Sequence, residues 1–219
     1  TMYSTIKLII NRICQLVVLP LAITCWLETK LSPHSEAVFA FWTHIVSILP
    51  GLPGVFLRRA FYSLTLEKCS LNSHIGFGTI FAHRGTVIED NVYTGIYCSI
   101  GSAYLKKNCL IGSHSSLLSG NTQHQRNEEN GEWMPFSKDN INRIEIAENV
   151  WVGEGAIILA NIGRGSLVAA GAVVNTNVKA NIVVAGNPAR FVKSFEPSSN
   201  NTTTKVKVSE EILKSQPEV

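Results

Sequence analysis

A polar segment, residues 119–136 (SGNTQHQRNEENGEWMPF), carries one histidine, His124, between flanks that are apolar and regularly spaced. Histidine is the side chain whose ordinary pKa lies nearest neutral pH, so it can take a proton from a hydroxyl group. Two more histidines, His83 in IFAHRG and His114 in IGSHSS, lie in the regular flanks. None of the three has the spacing of a metal-ligand pair. Their chemistry therefore depends on the elements that position them.

Residues 71–193 repeat an apolar residue or threonine at every sixth position, usually followed by a small or acidic residue. Such a period predicts strand-and-turn units, three to a triangular coil, stacked around an aliphatic core as a mainly β solenoid. An ordinary β-sandwich would show alternation and irregular spacing. We expect loops to leave the coils at the register breaks 104–110, 118–143 and 159–161. The repeated positions are Ile88, Thr94, Ile100, Ile111, Leu117, Ile146, Val152, Ile158, Ile162, Val168 and Val174.

Residues 1–70 are apolar and predict helices. On a helix, Ser4, Lys7, Asn11, Arg12 and Gln15 share one face, and Ile6, Ile9, Ile10, Ile13, Leu16 and Val17 share the other. Pro20 interrupts this run, and PGLPG at 50–54 ends a second one near Leu49. Each helix is then too short to span a bilayer, which takes about 20 residues. We expect a monotopic anchor in the membrane surface; the alternative is that these faces pack on protein.

Composition excludes other classes. The chain has 219 residues, 16% of them charged, and a formal net charge of +3, which is too small to indicate nucleic-acid binding. Its five cysteines form no CxxC pair, so reduced thiols in a cytoplasmic protein are expected. Residues 194–219 are polar and low in aromatic residues, which predicts a flexible tail.

The segment 144–193 resembles the left-handed β-helix, hexapeptide-repeat acetyltransferases, through NVWVG and AGNPAR. The lead-in PGLPG…LRRAFY at 50–62 is similar to that of the bacterial capsule, exopolysaccharide and lipopolysaccharide O-acetyltransferases. The resemblance covers about residues 50–193. It implies left-handed coils, a homotrimer with grooves between subunits, acetyl-CoA as donor, no metal and no nucleic acid. It also implies that a long loop carries the catalytic histidine over a neighbour's groove.

The resemblance assigns His124 as the general base. In the polysaccharide branch the loop reads roughly Ser-Gly-x-His-Gln-His, whereas this chain reads SGNTQH, with Thr122 at the first histidine position. Either His124 is the base or the usual base is absent. His114 and His83 are implied to bind the acceptor.

Donor contacts are implied residue by residue toward the end of the repeat. Asn175-Thr176 departs from the Thr-Lys of many sugar acetyltransferases, and Arg164 or Lys179 would have to compensate for that lysine. The residues that match the family's donor-binding positions are Trp151, Ala170, Gly171, Asn187, Pro188, Arg190 and Lys193.

The expected activity is O-acetylation of a surface polysaccharide or its lipid-linked precursor at the cytoplasmic face of the bacterial inner membrane. Arg58 and Arg59 would meet lipid phosphates or a pyrophosphate linker there. Two alternatives stay open: an acetyltransferase for a small soluble acceptor, such as an amino sugar or antibiotic, and an inactive β-helix scaffold. A β-helical carbonic anhydrase is disfavoured because the histidines lack metal-ligand spacing.

Overall fold

Helices come first in the chain. A computed structural model describes residues 2–119, 126–134 and 140–195. It contains α1 (Met2–Leu31), α2 (Ala37–Ser47) and α3 (Gly51–Thr65). The first solenoid strand follows α3 after two residues, at Lys68, three residues before the start expected from the repeat.

Short parallel strands form the rest of the described chain as a triangular solenoid. One sheet, here called face A, has the order β1-β4-β7-β10; face B has β16-β15-β13-β11-β8-β5-β2; face C has β14-β12-β9-β6-β3. The left-handed, mainly β solenoid expected from the repeat and the resemblance is confirmed. The strands are β1 Lys68–Cys69, β2 His74–Ile75, β3 Ile80–Phe81, β4 Val87–Ile88, β5 Tyr93–Thr94, β6 Ser99–Ile100, β7 Ala103–Leu105, β8 Leu110–Ile111, β9 Ser116–Leu117, β10 Ile144–Ile146, β11 Trp151–Val152, β12 Ile157–Ile158, β13 Leu167–Val168, β14 Val173–Val174, β15 Ile182–Ala185 and β16 Arg190–Ser194.

The predicted six-residue positions form the interior. All of them are at most 1% exposed, from Ile88 to Val174. Neighbouring coils stack in register, for example Thr94 on Ile111 and Ile111 on Val152. A further coil precedes the predicted ones, with Cys69, Ile75 and Phe81 six residues apart and turned inward. Each coil thus adds one inward side chain per face to a continuous core.

Two of the three predicted loops are wrong, because the chain does not leave the coil at 104–110 or at 159–161. Leu105 is fully buried in β7 and follows Ile100 by five residues, so the corner between them is one residue shorter. Ile162 follows Ile158 by four residues and bridges Ile146 on face A. The chain tightens its corner at both places and stays in the coil. At the third break it leaves face C after Ser119 and returns to face A at Ile144.

Helices α2 and α3 close the first coil of the solenoid. An aromatic cluster connects them to it: ring centroids lie 6.3 Å apart for Phe39 and Phe61, 5.3 Å for Phe61 and Tyr62, and 4.7 Å for Tyr62 and Phe81. Phe81 belongs to β3, so the helical and solenoid cores are continuous. The helices therefore cap the aliphatic core, which would otherwise end in water.

The expectation that Arg58 and Arg59 meet lipid phosphates is wrong. Arg58 is 1% exposed and Arg59 5%. Arg58 donates from Nε to the Ile75 carbonyl (3.0 Å) and from Nη1 to the Ser47 and Leu49 carbonyls, while Arg59 Nη1 donates to the Ser73 carbonyl (3.2 Å). Ile75 and Ser73 belong to the first coil, whereas Ser47 and Leu49 lie at the end of α2 and directly after it, so the two guanidinium groups fasten α3 to the first coil and to α2.

Helix α1 is continuous through Pro20, against the predicted interruption. Proline has no N–H group, so the Leu16 carbonyl group lacks the donor that residue 20 would normally supply. Pro20 and Leu16 both lie on the exposed side of the helix, where water or lipid headgroups can approach. The segment Thr5–Leu31 is long and apolar enough to cross a membrane by length and composition.

Candidate active site

A groove runs along the corner between faces B and C. Its volume is about 470 Å³, and it crosses four coils. On face B its wall is the outward column Tyr93, Trp151 and Leu167, with Tyr93 43% and Trp151 55% exposed. The corner itself contributes Gly112, Ser113, Gly153, Glu154, Ala169 and Ala170. The result is an apolar wall beside a backbone-rich corner, a composition typical of a small-molecule site.

The corner is narrow because two glycines let successive coils approach closely. A Cβ on Gly112 would lie 2.6 Å from the Glu154 backbone nitrogen, and one on Gly153 would lie 2.4 Å from that of Ala170. By contrast, Gly155 and Gly171 have φ of +67° and open space where a Cβ would be. The first pair sets the coil spacing, and Gly171 leaves backbone accessible beside the groove.

His114 presents an exposed imidazole at the same corner. Its φ is +59°, and its ring stacks on Tyr97 with centroids 5.6 Å apart and planes at 17°. Tyr97 in turn makes an edge contact with Phe77 at 5.6 Å. The stack fixes the orientation of the His114 ring. In sequence, His114 directly follows Ser113, which lines the groove.

Most of the implied donor residues lie on this corner. Trp151 is in the fourth coil, Ala170 and Gly171 are in the fifth, and Asn187 and Pro188 are in the sixth. Coils stack about 4.8 Å apart, so this column extends over roughly 10 Å. The structure thus brings together positions that are 36 residues apart in sequence.

Arg190 and Lys193 lie apart from the groove, on the last strand. That strand runs antiparallel to β15, with Arg190 opposite Ala185 and Lys193 opposite Val183. Arg190 lines a cavity of about 530 Å³ at the open end of the solenoid, together with Lys179 and Phe191. This end is therefore cationic, next to the last corner of the groove.

The assignment of His83 to the acceptor groove is wrong. Its Nδ1 lies 2.8 Å from Glu36 Oε2, and the side chain is 18% exposed. His83 is at the corner between faces C and A, whereas the groove follows the corner between B and C. Its contact with Glu36 joins the solenoid to the start of α2. The predicted base, His124, and Thr122 lie outside the described residues.

Sequence reasoning missed Tyr93, Ser113 and Glu154 as groove residues. A usable signal was present, because the residue before each buried position must point outward in a strand. In the second to fifth coils of face B those residues are Tyr93, Leu110, Trp151 and Leu167, all large and apolar, although they face away from the core.

The buried cysteines are poor nucleophiles. Burial raises the pKa of the Cys69 thiol and of the Cys109 thiol to about 12 each. All five cysteines are in described segments and carry free thiols. Over residues 2–119, 126–134 and 140–195, no cluster of three His, Cys, Asp or Glu side chains is placed to hold a metal ion.

Three similarities to known proteins bear on this site. The chain is 30% identical over 127 residues to the galactoside O-acetyltransferase of Escherichia coli K12, covering 57% of this chain and 55% of that protein. It is 28% identical over 131 residues to an E. coli K12 protein named as a lipopolysaccharide biosynthesis O-acetyl transferase, covering 55% and 63%. A Vibrio cholerae hexapeptide-repeat acetyltransferase, solved with acetyl coenzyme A, aligns with a TM-score of 0.55 at 20% identity over 75% of this chain and 92% of that one. No family model matches the sequence.

These matches have a limited span. The chain covers between 25% and 63% of the length of the curated relatives it matches. A parallel β-helix of six-residue repeats with a groove along one corner defines the class, a hexapeptide-repeat β-helix protein. In sequence, the chain is similar to acetyltransferases of the hexapeptide-repeat kind over part of their length.

Proposed function

We propose that this protein transfers an acetyl group from acetyl-CoA to a sugar hydroxyl group of a surface polysaccharide or its lipid-linked precursor. The corner groove carries the proposal, because Trp151 and Ala170 line it on successive coils, with Gly171 next to Ala170 and the exposed His114 directly after the groove residue Ser113. The two E. coli relatives are both named for O-acetylation, and their names refer to a galactoside and to lipopolysaccharide. Those names support a carbohydrate acceptor.

The groove suits the pantetheine arm of the donor. That arm is a narrow chain of methylene and amide groups, and the groove offers an apolar wall at Trp151 and backbone groups at Ala170 and Gly171. The cationic end of the solenoid supplies Arg190, Lys193 and Lys179 for the CoA phosphates, since charge-assisted hydrogen bonds favour such pairs. Lys179 then takes the place of the lysine that the chain lacks at Asn175-Thr176.

Acetyl transfer needs a base and an oxyanion site. The imidazole of His124 takes the proton of the sugar hydroxyl group as its oxygen bonds to the thioester carbonyl carbon. The carbon–sulfur bond then breaks, and the same imidazole returns the proton to the CoA sulfur. Backbone N–H groups at the corner stabilise the negative charge on the carbonyl oxygen in between. The step needs no covalent enzyme intermediate, which agrees with the raised pKa of the buried thiols.

His114 binds and orients the acceptor. Its ring is exposed at the groove and held by Tyr97, so a ring nitrogen can hydrogen-bond to a sugar hydroxyl group. The protein works as a homotrimer in which the segment that carries His124 in one subunit reaches the groove of the next. Exposed apolar side chains around the groove corner support this assembly, namely Tyr93, Ile96, Tyr97, Leu110, Trp151 and Ile157.

The test measures acetyl-CoA binding by calorimetry and CoA release with lipid-linked saccharides, free oligosaccharides and amino sugars. We expect His124→Ala to lose about 10²- to 10⁴-fold in turnover while still binding acetyl-CoA. We expect His114→Ala to raise the KM for the acceptor. His44→Ala, at an exposed histidine of α2, serves as the control and should match the parent.

Three outcomes would contradict the proposal in different ways. Full turnover by His124→Ala would remove that residue as the base. Turnover with amino sugars or antibiotics in place of saccharides would favour the small soluble acceptor. A parent protein that fails to bind acetyl-CoA would leave the inactive scaffold.

A further inference from the structure

Helix α1 packs on the protein through a mixed side, on which polar residues lie beside the smaller residues Val18, Ala22 and Cys25, each at most 6% exposed. Asn11 is 4% exposed and accepts a hydrogen bond from Arg59, and Gln15 Nε2 donates to Ser63 Oγ at 2.9 Å. Farther along, Glu28 is 7% exposed and accepts from the backbone N–H groups of Val38 and Phe39. A helix on the surface of a water-soluble domain normally turns its apolar side inward. In α1 the buried side carries these polar residues and small apolar ones, whereas the large apolar side chains lie outside.

The apolar side of α1 consequently faces outward along the whole helix. Leu16 is 68% exposed, Val17 59% and Trp26 59%, and the described charged side chains on this exposed surface are Arg12 and Lys30. A soluble monomer rarely shows so large a continuous apolar patch. The outward residues are Ile6, Leu8, Ile9, Ile10, Ile13, Leu16, Val17, Leu19, Ile23, Trp26, Leu27 and Leu31.

Helix α2 adds to this surface. Phe41 and Ile45 on α2, and Ile48 directly after it, form one stripe and are 56%, 42% and 59% exposed. Trp42, next to Phe41, donates to Thr24 Oγ1 of α1 at 2.8 Å. The stripe therefore lies beside the outward side of α1.

Both ends of α1 are fastened to the same coil of the solenoid. Near the start, Lys7 Nζ donates to Asn72 Oδ1 at 3.1 Å. Near the end, Arg84 donates to the Cys25 carbonyl at 3.2 Å and to the Thr29 hydroxyl. Asn72 and Arg84 belong to two corners of the first coil. About 33 Å of helix separates Lys7 from Thr29, which is close to the thickness of the hydrocarbon core.

A helix held in this way cannot cross a bilayer. Crossing would put Asn72 and Arg84 on opposite sides and draw the first coil through hydrocarbon, where open strand edges are not tolerated. We propose that α1 and the α2 stripe form a membrane-docking face that lies in the plane of one lipid leaflet, with the solenoid standing on it and its open C-terminal end in water. The occupant is the lipid surface, because Arg12 and Lys30 are the charges at its edge and both fit anionic headgroups.

The groove would then lie close to the membrane surface. It begins one coil above the first, at Tyr93, and ends at Ala170, so it extends from roughly 5 to 20 Å beyond the first coil. A glycan on a lipid carrier could reach it without leaving the leaflet. This last consequence rests on the proposed function, whereas docking itself does not.

The first test is sedimentation of the full chain with vesicles of phosphatidylglycerol and phosphatidylethanolamine, and of phosphatidylcholine alone, without acetyl-CoA or acceptor. We expect the parent to bind both, the anionic vesicles more tightly. Ile13→Glu with Val17→Glu, two neighbours on the outward side, should weaken binding at least about tenfold. Val192→Glu is the matched control, because Val192 is 54% exposed on β16 at the far end of the solenoid, and it should bind like the parent.

The second test distinguishes an α1 that lies in the plane of the membrane from an α1 that crosses it. The chain carries a different epitope at each terminus and is added to preformed vesicles with protease outside. We expect both epitopes to be digested; protection of the N-terminal one would mean that α1 crosses, and would overturn the proposal. The proposal would also be overturned if the parent protein did not bind vesicles and instead self-associated through this face. Gel filtration would show this if Ile13→Glu with Val17→Glu reduced the size of the oligomer. Activity with a soluble acceptor is unaffected by these outcomes, so the two proposals fail separately.

Discussion

The solenoid and helix α1 differ in where their large apolar side chains lie. Leu117, inside the solenoid, is 1% exposed, whereas Leu16, on α1, is 68% exposed; Asn11 of α1 is 4% exposed. Both regions follow a regular apolar period, but the solenoid turns its apolar residues toward one another, whereas α1 turns most of its large apolar residues away from the protein. The contrast shows that an apolar period in the sequence identifies which side chains share a face, but not what covers that face. In the solenoid the cover is the next coil, and for α1 we propose lipid.

The interior of the solenoid should give the largest effect of a single substitution. Leu117→Ala leaves a cavity between coils and should lower the free energy of unfolding by about 2 to 5 kcal/mol, measured by urea titration. Leu16→Ala, the same change on the outward side of α1, should alter it by less than about 0.5 kcal/mol in the absence of lipid. Equal losses for the two would contradict the contrast between the regions.

The junction between the two regions should come next. Arg58→Met removes three hydrogen bonds and leaves the Ile75, Ser47 and Leu49 carbonyl groups without this donor. We expect a loss of about 2 to 4 kcal/mol in the free energy of unfolding. The control is Arg12→Met, at an exposed arginine of α1, with a change of less than about 0.5 kcal/mol.

Alanine substitutions at two corner glycines should distinguish a glycine needed for the close approach of two coils from one needed for its backbone conformation. Gly153→Ala brings a methyl group against the Ala170 nitrogen and should cost about 3 kcal/mol. Gly155→Ala meets open space at φ +67° and should cost only about 1 to 2 kcal/mol. Thermal unfolding of both variants measures the difference, and the reverse order would disprove the role of Gly153 in coil spacing.

Two equally exposed tryptophans test whether the groove or the docking face binds the donor. Trp151→Ala should weaken acetyl-CoA binding about tenfold, since it removes an aromatic wall of the groove. Trp26→Ala, which is on α1, should leave that affinity unchanged. Calorimetry without lipid makes the comparison, and a donor affinity that depends on Trp26 would refute it.

The smallest effect is a dependence of stability on pH. Burial, followed by the charges of Arg58 and Arg59, lowers the pKa of His74, which stacks on Tyr93 with ring centroids 4.8 Å apart. The unfolded chain then binds more protons than the folded one below the ordinary histidine pKa of about 6.5. Stability should accordingly fall as the pH drops below that value. His74→Asn should reduce the slope in urea titrations between neutral and acidic pH, and an unchanged slope would exclude His74 as its source.

Much of the fold was predictable because it rests on local spacing. Every repeated position from Ile88 to Val174 is buried as expected, since six-residue units dictate which side chain turns inward. The missed first coil follows the same rule at Cys69, Ile75 and Phe81. The site was predictable in part: the resemblance indicated Trp151, Ala170 and Gly171, which meet at one corner. Tyr93 and Glu154 were missed because their place depends on which coils stack.

Errors concentrate where a residue's partner is distant in sequence. His83 pairs with Glu36, and Arg84 with Thr29, across 47 and 55 residues. Arg59 reaches Asn11 across 48. Such pairs produce no periodic pattern in the sequence. Arg58 and Arg59, which follow apolar helices, were therefore interpreted as lipid contacts, although they form hydrogen bonds inside the protein.

The spacing of residue types alone establishes that the chain is a hexapeptide-repeat solenoid and that the first half of α1 has one polar and one apolar side. Which side of α1 faces outward depends on the folded chain, because Arg59, Ser63 and Arg84 are distant in sequence and offer the helix its hydrogen-bond partners. The structure also decided that His114, Trp151 and Ala170 share a corner, because stacking brings consecutive coils within about 4.8 Å of each other.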